Sequence, residues 1–184
     1  MASSVVVDTR GDREALMSRG FLRNFFRPPR LSGATLDWSG SWEISRPAWP
    51  LRLGAALRKL LSESGVVALE GSAIDPDVER LLQPYLIAPL LEIRPGTVYP
   101  QSKCLHIRAT DHGLTTLDGL VNSFAPPQVC SHLYAYEGST LLLEWHDAFG
   151  DPIHIAGTVS PDVIAALCAA LGVGPAKPPS HPVK

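Results

Sequence analysis

Three apolar segments of strand length, separated by two glycine-bearing turns and followed by a capped helix, fill Cys130–Gly172 (CSHLYAYEGSTLLLEWHDAFGDPIHIAGTVSPDVIAALCAALG). No other stretch limits the fold so strongly, because turns of two to five residues join antiparallel neighbours. Parity then decides which side chains share a face. A three-residue loop through Tyr136-Glu137-Gly138 pairs Leu133 with Leu141 and Ala135 with Ser139. The turn Asp147–Asp151 pairs Trp145 with Ile153, Glu144 with His154 and Leu143 with Ile155. Together they gather Leu133, Ala135, Leu141, Leu143, Trp145, Ile153 and Ile155 on one buried face, which a slip of one residue would turn outward. The alternative, a turn on Gly138-Ser139 alone, sets Tyr136 opposite Leu141 and mixes tyrosines with leucines. The three-residue loop is therefore preferred.

The helix over this face begins at Ser160-Pro161-Asp162, with a capping hydroxyl, a first-turn proline and an acid at the positive end of the dipole. Val163, Ile164, Leu167, Ala170 and Leu171 form its stripe, Cys168 is a small core residue, and Gly172 stops it. Upstream, helical spacing marks Pro50–Ser64, Asp75-Pro76-Asp77 repeats the same start signal, and Asp111–Phe124 predicts a crossing helix. Val66–Glu70, Leu90–Tyr99 and Lys103–Thr110 read as strands, the last with Cys104, His106 and Arg108 on one face. The predicted fold class is α+β: a single domain, mainly antiparallel β-sheet, with helices packed on one face and a capped C-terminal helix. Its expected limits are residues 31–173, preceded over 1–30 by a basic aromatic arm or helix and followed over 174–184 by a disordered proline-rich tail.

Charge bears on partners. The net charge of −2 gives no whole-chain attraction to nucleic acid. Arg10, Arg13, Arg19, Arg23, Arg27 and Arg30 crowd the arm, where they alternate with Phe21, Phe25 and Phe26. Such an arm either docks on an anionic or protein surface or packs by its phenylalanines, and the second reading is preferred; an exposed apolar arm would also support a homodimer. Trp38, Trp42 and Trp49 lie in a segment without interleaved basic residues, which favours plugging a core edge over a base-stacking platform. Three cysteines in no framework spacing, no secretory leader and no apolar run near 20 residues point to a reducing cytoplasm and no membrane span.

The face opposite the core displays His132, Tyr134 and Tyr136, then Leu142, Glu144 and His146, then His154, and Cys104, His106 and Arg108 extend the set if their strand enters the sheet. Tyrosine and histidine lose little side-chain entropy on contact and suit recognition. Tyr134, Tyr136, Glu144, His132, His154 and Arg108 are accordingly the candidate binding residues. Two other chemistries use the same residues. His132, Glu144 and His154 resemble a two-histidine, one-carboxylate ligand set, and the spacings Cys104-x-His106 and Cys130-x-His132 suggest a thiolate variant. Alternatively His154, oriented by Glu144, acts as a base for Cys104 or Cys130 as nucleophile. No phosphate loop, nucleophile elbow or strong metal array is present, so no catalytic residue, metal ligand or cofactor is assigned. In general plan the chain resembles the inhibitor and immunity proteins that bacteria pair with toxins, a likeness of architecture that rests on no motif. It implies a non-catalytic protein-binding module of the bacterial cytoplasm, an immunity-type inhibitor or a small adaptor, with a toxin or enzyme as partner. The alternative is a metal-dependent or Cys/His hydrolytic enzyme on the His132/Glu144/His154 face.

Overall fold

The computed structural model describes residues 33–97, 102–147, 149–150 and 152–180. The chain divides into Met1–Leu31 and Ser32–Lys184; the arm anticipated over residues 1–30 lies outside the described residues. Six strands, β1 (Ser41–Ile44), β2 (Val66–Gly71), β3 (Lys103–Arg108), β4 (His132–Glu137), β5 (Thr140–Trp145) and β6 (Ile153–Ala156), form one sheet in the order β1-β6-β5-β4-β2-β3. Every neighbouring pair is antiparallel. Five helices accompany it: α1 (Leu53–Leu60), α2 (Pro76–Leu82), α3 (Asp111–Ser123), the single turn α4 (Pro126–Val129) and α5 (Pro161–Leu171). The fold is α+β with helices packed on an antiparallel sheet.

The helices start where their caps dictate. Asp75 accepts from the Asp77 amide at 2.8 Å, Thr110 from Gly113 at 3.2 Å and Ser160 from Val163 at 3.5 Å. Gly172, at φ 68°, ends α5, and the Val173 amide returns to the Cys168 carbonyl at 3.1 Å. The main core lies between helices and sheet: Leu57, Leu114, Leu117, Ile164 and Leu167 meet Val67, Leu69, Ile107, Leu133, Leu143, Trp145 and Ile155. Gly54 is required where α1 crosses α3. Its amide donates to Asp118 Oδ1 at 2.6 Å, and a Cβ there would collide with the Leu114 carbonyl.

The register of β5 and β6 is the one anticipated, with Leu143 opposite Ile155 and Glu144 opposite His154. The turn between β4 and β5 differs. Glu137 pairs with Thr140 and Tyr136 with Leu141 around Gly138-Ser139, and a register shift then sets Ala135 opposite Leu143 and Leu133 opposite Trp145. A bulge at Leu142 thus restores the parity that a two-residue turn would have broken. Leu133, Ala135, Leu143 and Trp145 still share the helix-covered face, while Leu141 moves to the other side with the tyrosines.

Three further segments depart from expectation. The tryptophan-rich segment contributes β1, an edge strand. Residues 90–97 form no strand of the sheet; they belong to a connection, 86–97, that passes over the sheet face. The proline-rich segment 174–180 lies against β1, with the amides and carbonyls of Lys177 and Glu43 exchanged at 2.8 and 3.0 Å and the Ser180 amide bonded to the Ser39 carbonyl at 3.1 Å. It blunts one sheet edge, and the Ile87 amide, bonded to the His106 carbonyl at 2.9 Å, blunts the other. Among the described residues no helix is long and apolar enough to cross a membrane.

Candidate functional site

Parity places Val66, Ala68 and Glu70 of β2, His106 of β3, His132, Tyr134 and Tyr136 of β4, Glu144 of β5 and His154 of β6 on the face away from the helices. The chain itself covers that face. Ala34, Leu36, Ile87, Leu91 and Ile93 pack on Val66, Ala68, Tyr134, Tyr136 and Leu141 to make a second, smaller core. The two covering segments are tied to each other, the Ala34 amide to the Glu92 carbonyl at 2.8 Å and the Arg94 amide to the Ala34 carbonyl at 3.0 Å.

Two buried carboxylates hold the cover down. Glu70 is 2% exposed, and its Oε2 accepts from the Gly96 amide at 2.8 Å and Tyr134 OH at 2.9 Å. Its Oε1 accepts from the Thr97 amide at 2.9 Å and the Ser102 hydroxyl at 2.7 Å. Burial by itself raises the pKa of this carboxyl, but Ser102, Gly96, Thr97 and Tyr134 together outweigh it and hold it below its ordinary value. Glu144 does the same for the other segment, accepting from the Leu36 amide at 3.0 Å and from Trp38 Nε1 at 2.7 Å. Burial again opposes ionisation and is overcome by His146, Trp38, Thr35 and Leu36, so this carboxyl too lies low.

The aromatic nitrogens are similarly engaged. His106 Nδ1 lies 2.8 Å from Tyr136 OH and its Nε2 lies 3.4 Å from Cys104 Sγ. The Leu90 amide donates to Tyr136 OH at 3.3 Å. His132 Nδ1 accepts from the Asp147 amide at 3.2 Å, and Nε2 meets Thr97 Oγ1 at 3.0 Å. Burial lowers the pKa of His106 and His132. His154 Nδ1 lies 3.2 Å from Ser41 Oγ, and its ring stacks on Trp38 with centroids 4.5 Å apart and planes within 2°. His146 sits tilted against the same indole at 5.3 Å.

These positions correct the open aromatic face read from the sequence. Tyr134 and Tyr136 are fully buried, Glu144 and His132 nearly so, because segments distant in sequence close over them; none can be a surface anchor in this conformation. Arg108 is at the opposite end of the sheet from Glu144: β2 and β4 separate their strands, about 14 Å at three strand spacings. His132, Glu144 and His154 fall on consecutive strands, yet both Glu144 oxygens accept protein hydrogen bonds and His132 is committed through both nitrogens. Among the described residues no group of three His, Cys, Asp or Glu side chains is placed to hold a metal ion.

The thiols are held protonated. Cys104 is exposed, yet its sulfur lies 3.4 Å from His106 Nε2, and partial desolvation of the thiol, reinforced by Glu70, pushes its pKa up to about 12. Cys130 is raised further by the same causes.

Sequence reasoning passed over Glu70 and read Trp38 as part of a plug for a core edge. Glu70 closes an otherwise apolar strand, and its parity with Ala68 and Val66 was the available signal. Trp38 is 48% exposed, the most exposed tryptophan of those described, yet it is locked in place by a carboxylate and an imidazole. No family model, no curated protein and no solved structure matches this chain.

Proposed function

We propose that this chain is a non-catalytic protein-binding module of the bacterial cytoplasm, an immunity-type inhibitor or small adaptor whose partner is a toxin or another enzyme, and that Trp38 is its contact anchor. The observation that carries this reading is the immobilised, half-exposed indole. Hydrogen-bonded to Glu144 at 2.7 Å and stacked on His154 at 4.5 Å, it offers its remaining surface in one orientation. A large aromatic side chain already fixed in the free protein loses little freedom on binding, the property of interface hot spots. Its N–H donates to a carboxylate, and the exposed Asp37 lies next to it. Both enrich the negative potential at the ring, so the patch suits a cationic side chain of the partner.

Two further observations favour binding over the hydrolytic alternative. A nucleophilic cysteine must be a thiolate and reachable, whereas Cys130 is buried and held as a thiol, and the thiol pKa of Cys104 is pushed up to about 12. The imidazole that would serve as their base, His154, has Nδ1 3.2 Å from Ser41 Oγ and its ring stacked on Trp38.

The test is affinity capture from a native lysate with the wild type, Trp38→Ala and, as a control of similar exposure, Trp49→Ala. A stoichiometric partner retained by Trp49→Ala and lost by Trp38→Ala, with thermal melts unchanged, supports the reading. A partner that binds Trp38→Ala undiminished removes Trp38 from the interface, and the absence of any stoichiometric partner overturns the binding function.

A further inference from the structure

His132 touches both the turn at 94–97 and, at Asp147, the start of the loop after β5. From β4 it reaches the covering segment through Nε2, 3.0 Å from Thr97 Oγ1, and the loop through Nδ1, which accepts from the Asp147 amide at 3.2 Å. A backbone amide can only donate, so Nδ1 carries no proton. The ring is therefore the neutral tautomer with its hydrogen on Nε2, directed at Thr97. Gly96 lies flush on the imidazole: a Cβ there would come within 2.7–2.8 Å of Cδ2, Cγ and Nε2.

We propose that His132 is an acid-released latch, whose protonation at Nδ1 breaks the Asp147 bond and loosens the 94–97 turn and the loop after β5 from the sheet. A proton on Nδ1 would face the hydrogen of the Asp147 amide, replacing attraction by repulsion. The imidazolium would also be enclosed beneath Gly96, and a buried charge is relieved when its cover lifts. The charged and titratable groups that face the ring are Glu70 on β2 and Asp147 on the loop, which favour the proton, and His146 at the end of β5, its ring centroid 4.9 Å away, which opposes it. Burial is the largest influence and also opposes it. The open form thus takes up the proton more readily than the closed one, and acid shifts the balance toward opening. What opening uncovers is Glu70, which loses its Gly96 and Thr97 donors, and the His132 ring. This device goes beyond the binding reading and stands whether or not a protein partner exists.

Amide hydrogen exchange resolved by NMR tests it. Protection factors, corrected for the intrinsic pH dependence of exchange, are compared at pH 7.5 and 5.0 for Asp147, Gly96 and Thr97, with Leu69 and Leu133 as core references. Each unit of pKa separation between open and closed forms changes the opening constant about tenfold. The latch predicts a loss of protection of at least about fivefold at the three sites and little change at the references. In His132→Gln, which can still accept from Asp147 and donate to Thr97 but does not titrate, the loss should vanish. It should persist in His106→Gln. Constant protection in the wild type, or an equal loss in His132→Gln, overturns the proposal. If His132→Gln fails to fold, the ring signals of His132 in the wild type decide: titration at or above the ordinary histidine value refutes the latch, and titration below it, in step with the exchange at Asp147, sustains it.

Discussion

Replacing Glu70 by Gln changes one atom and tests the carboxylate clamp directly. Each oxygen of Glu70 receives one backbone amide and one hydroxyl, Gly96 with Tyr134 on Oε2 and Thr97 with Ser102 on Oε1. Whichever way the glutamine amide turns, its NH2 group faces one such pair. The hydroxyl of that pair can rotate and accept, but the backbone N–H cannot and is left without a partner. An orphaned buried donor costs about 1–3 kcal/mol, and the other contacts fall from charge-assisted to neutral strength, about 1 kcal/mol each. The sum is about 4 kcal/mol, a third or more of the stability of an ordinary domain. Sign and pH window follow from the lowered pKa. The folded carboxyl titrates below its reference value of 4.5, so its contribution is complete above about pH 4.5 and is lost as pH falls through the folded value. Urea unfolding at pH 7 should give a lower midpoint for Glu70→Gln with unchanged slope, and the gap to wild type should narrow toward pH 3. A variant within about 0.5 kcal/mol of wild type at pH 7, or a gap that does not shrink in acid, would refute the reasoning.

The remaining perturbations probe neighbouring contacts. Gly96→Ala forces a methyl against the His132 ring at 2.7–2.8 Å and should cost about 1–3 kcal/mol as an overpacked site, read as a drop in melting temperature of about 2–4 °C per kcal/mol. Although Cys104 is exposed, its pKa of about 12 keeps the thiol protonated at pH 7; its alkylation by iodoacetamide should be slower than that of a free thiol and should still be rising above pH 10. A rate plateau near pH 8.5 would show that the sulfur is solvated. Because burial holds the folded pKa of His132 below 6.5, stability should be complete above that value and decline as pH falls from it toward the folded pKa. Equilibrium unfolding at pH 7.5 and 5.5 checks this, and His132→Gln should flatten that limb.

Much of the architecture is legible from local chemistry. The capped starts at Asp75, Thr110 and Ser160, the glycine stop of α5 and the β5–β6 register depend on residues a few positions apart, and such signals survive in a bare sequence. The β4–β5 turn shows where local reasoning fails. Both the two-residue turn and the apolar parity are real, and only a bulge at Leu142 reconciles them; a bulge leaves no periodic mark. The candidate site was legible by membership and illegible by environment. Alternation correctly grouped His132, Tyr134, Tyr136, Glu144 and His154, but alternation is the same whether a face meets water or a covering chain.

Residues 33–38 and 86–97, the segments that decide this, have neither a strand nor a helix period. Their attachment runs through hydrogen bonds between residues 26 to 108 positions apart. The sequence by itself determined five of the six strands, β2 to β6, the capped helices and the division of the sheet into two faces, because those follow from neighbours along the chain. Tertiary structure alone decided that the second face is closed, that Glu70 and Glu144 serve as clamps, and that Trp38 is held by a carboxylate and an imidazole while half its surface stays exposed. Satisfying a buried carboxylate takes donors from segments that meet only in the folded state.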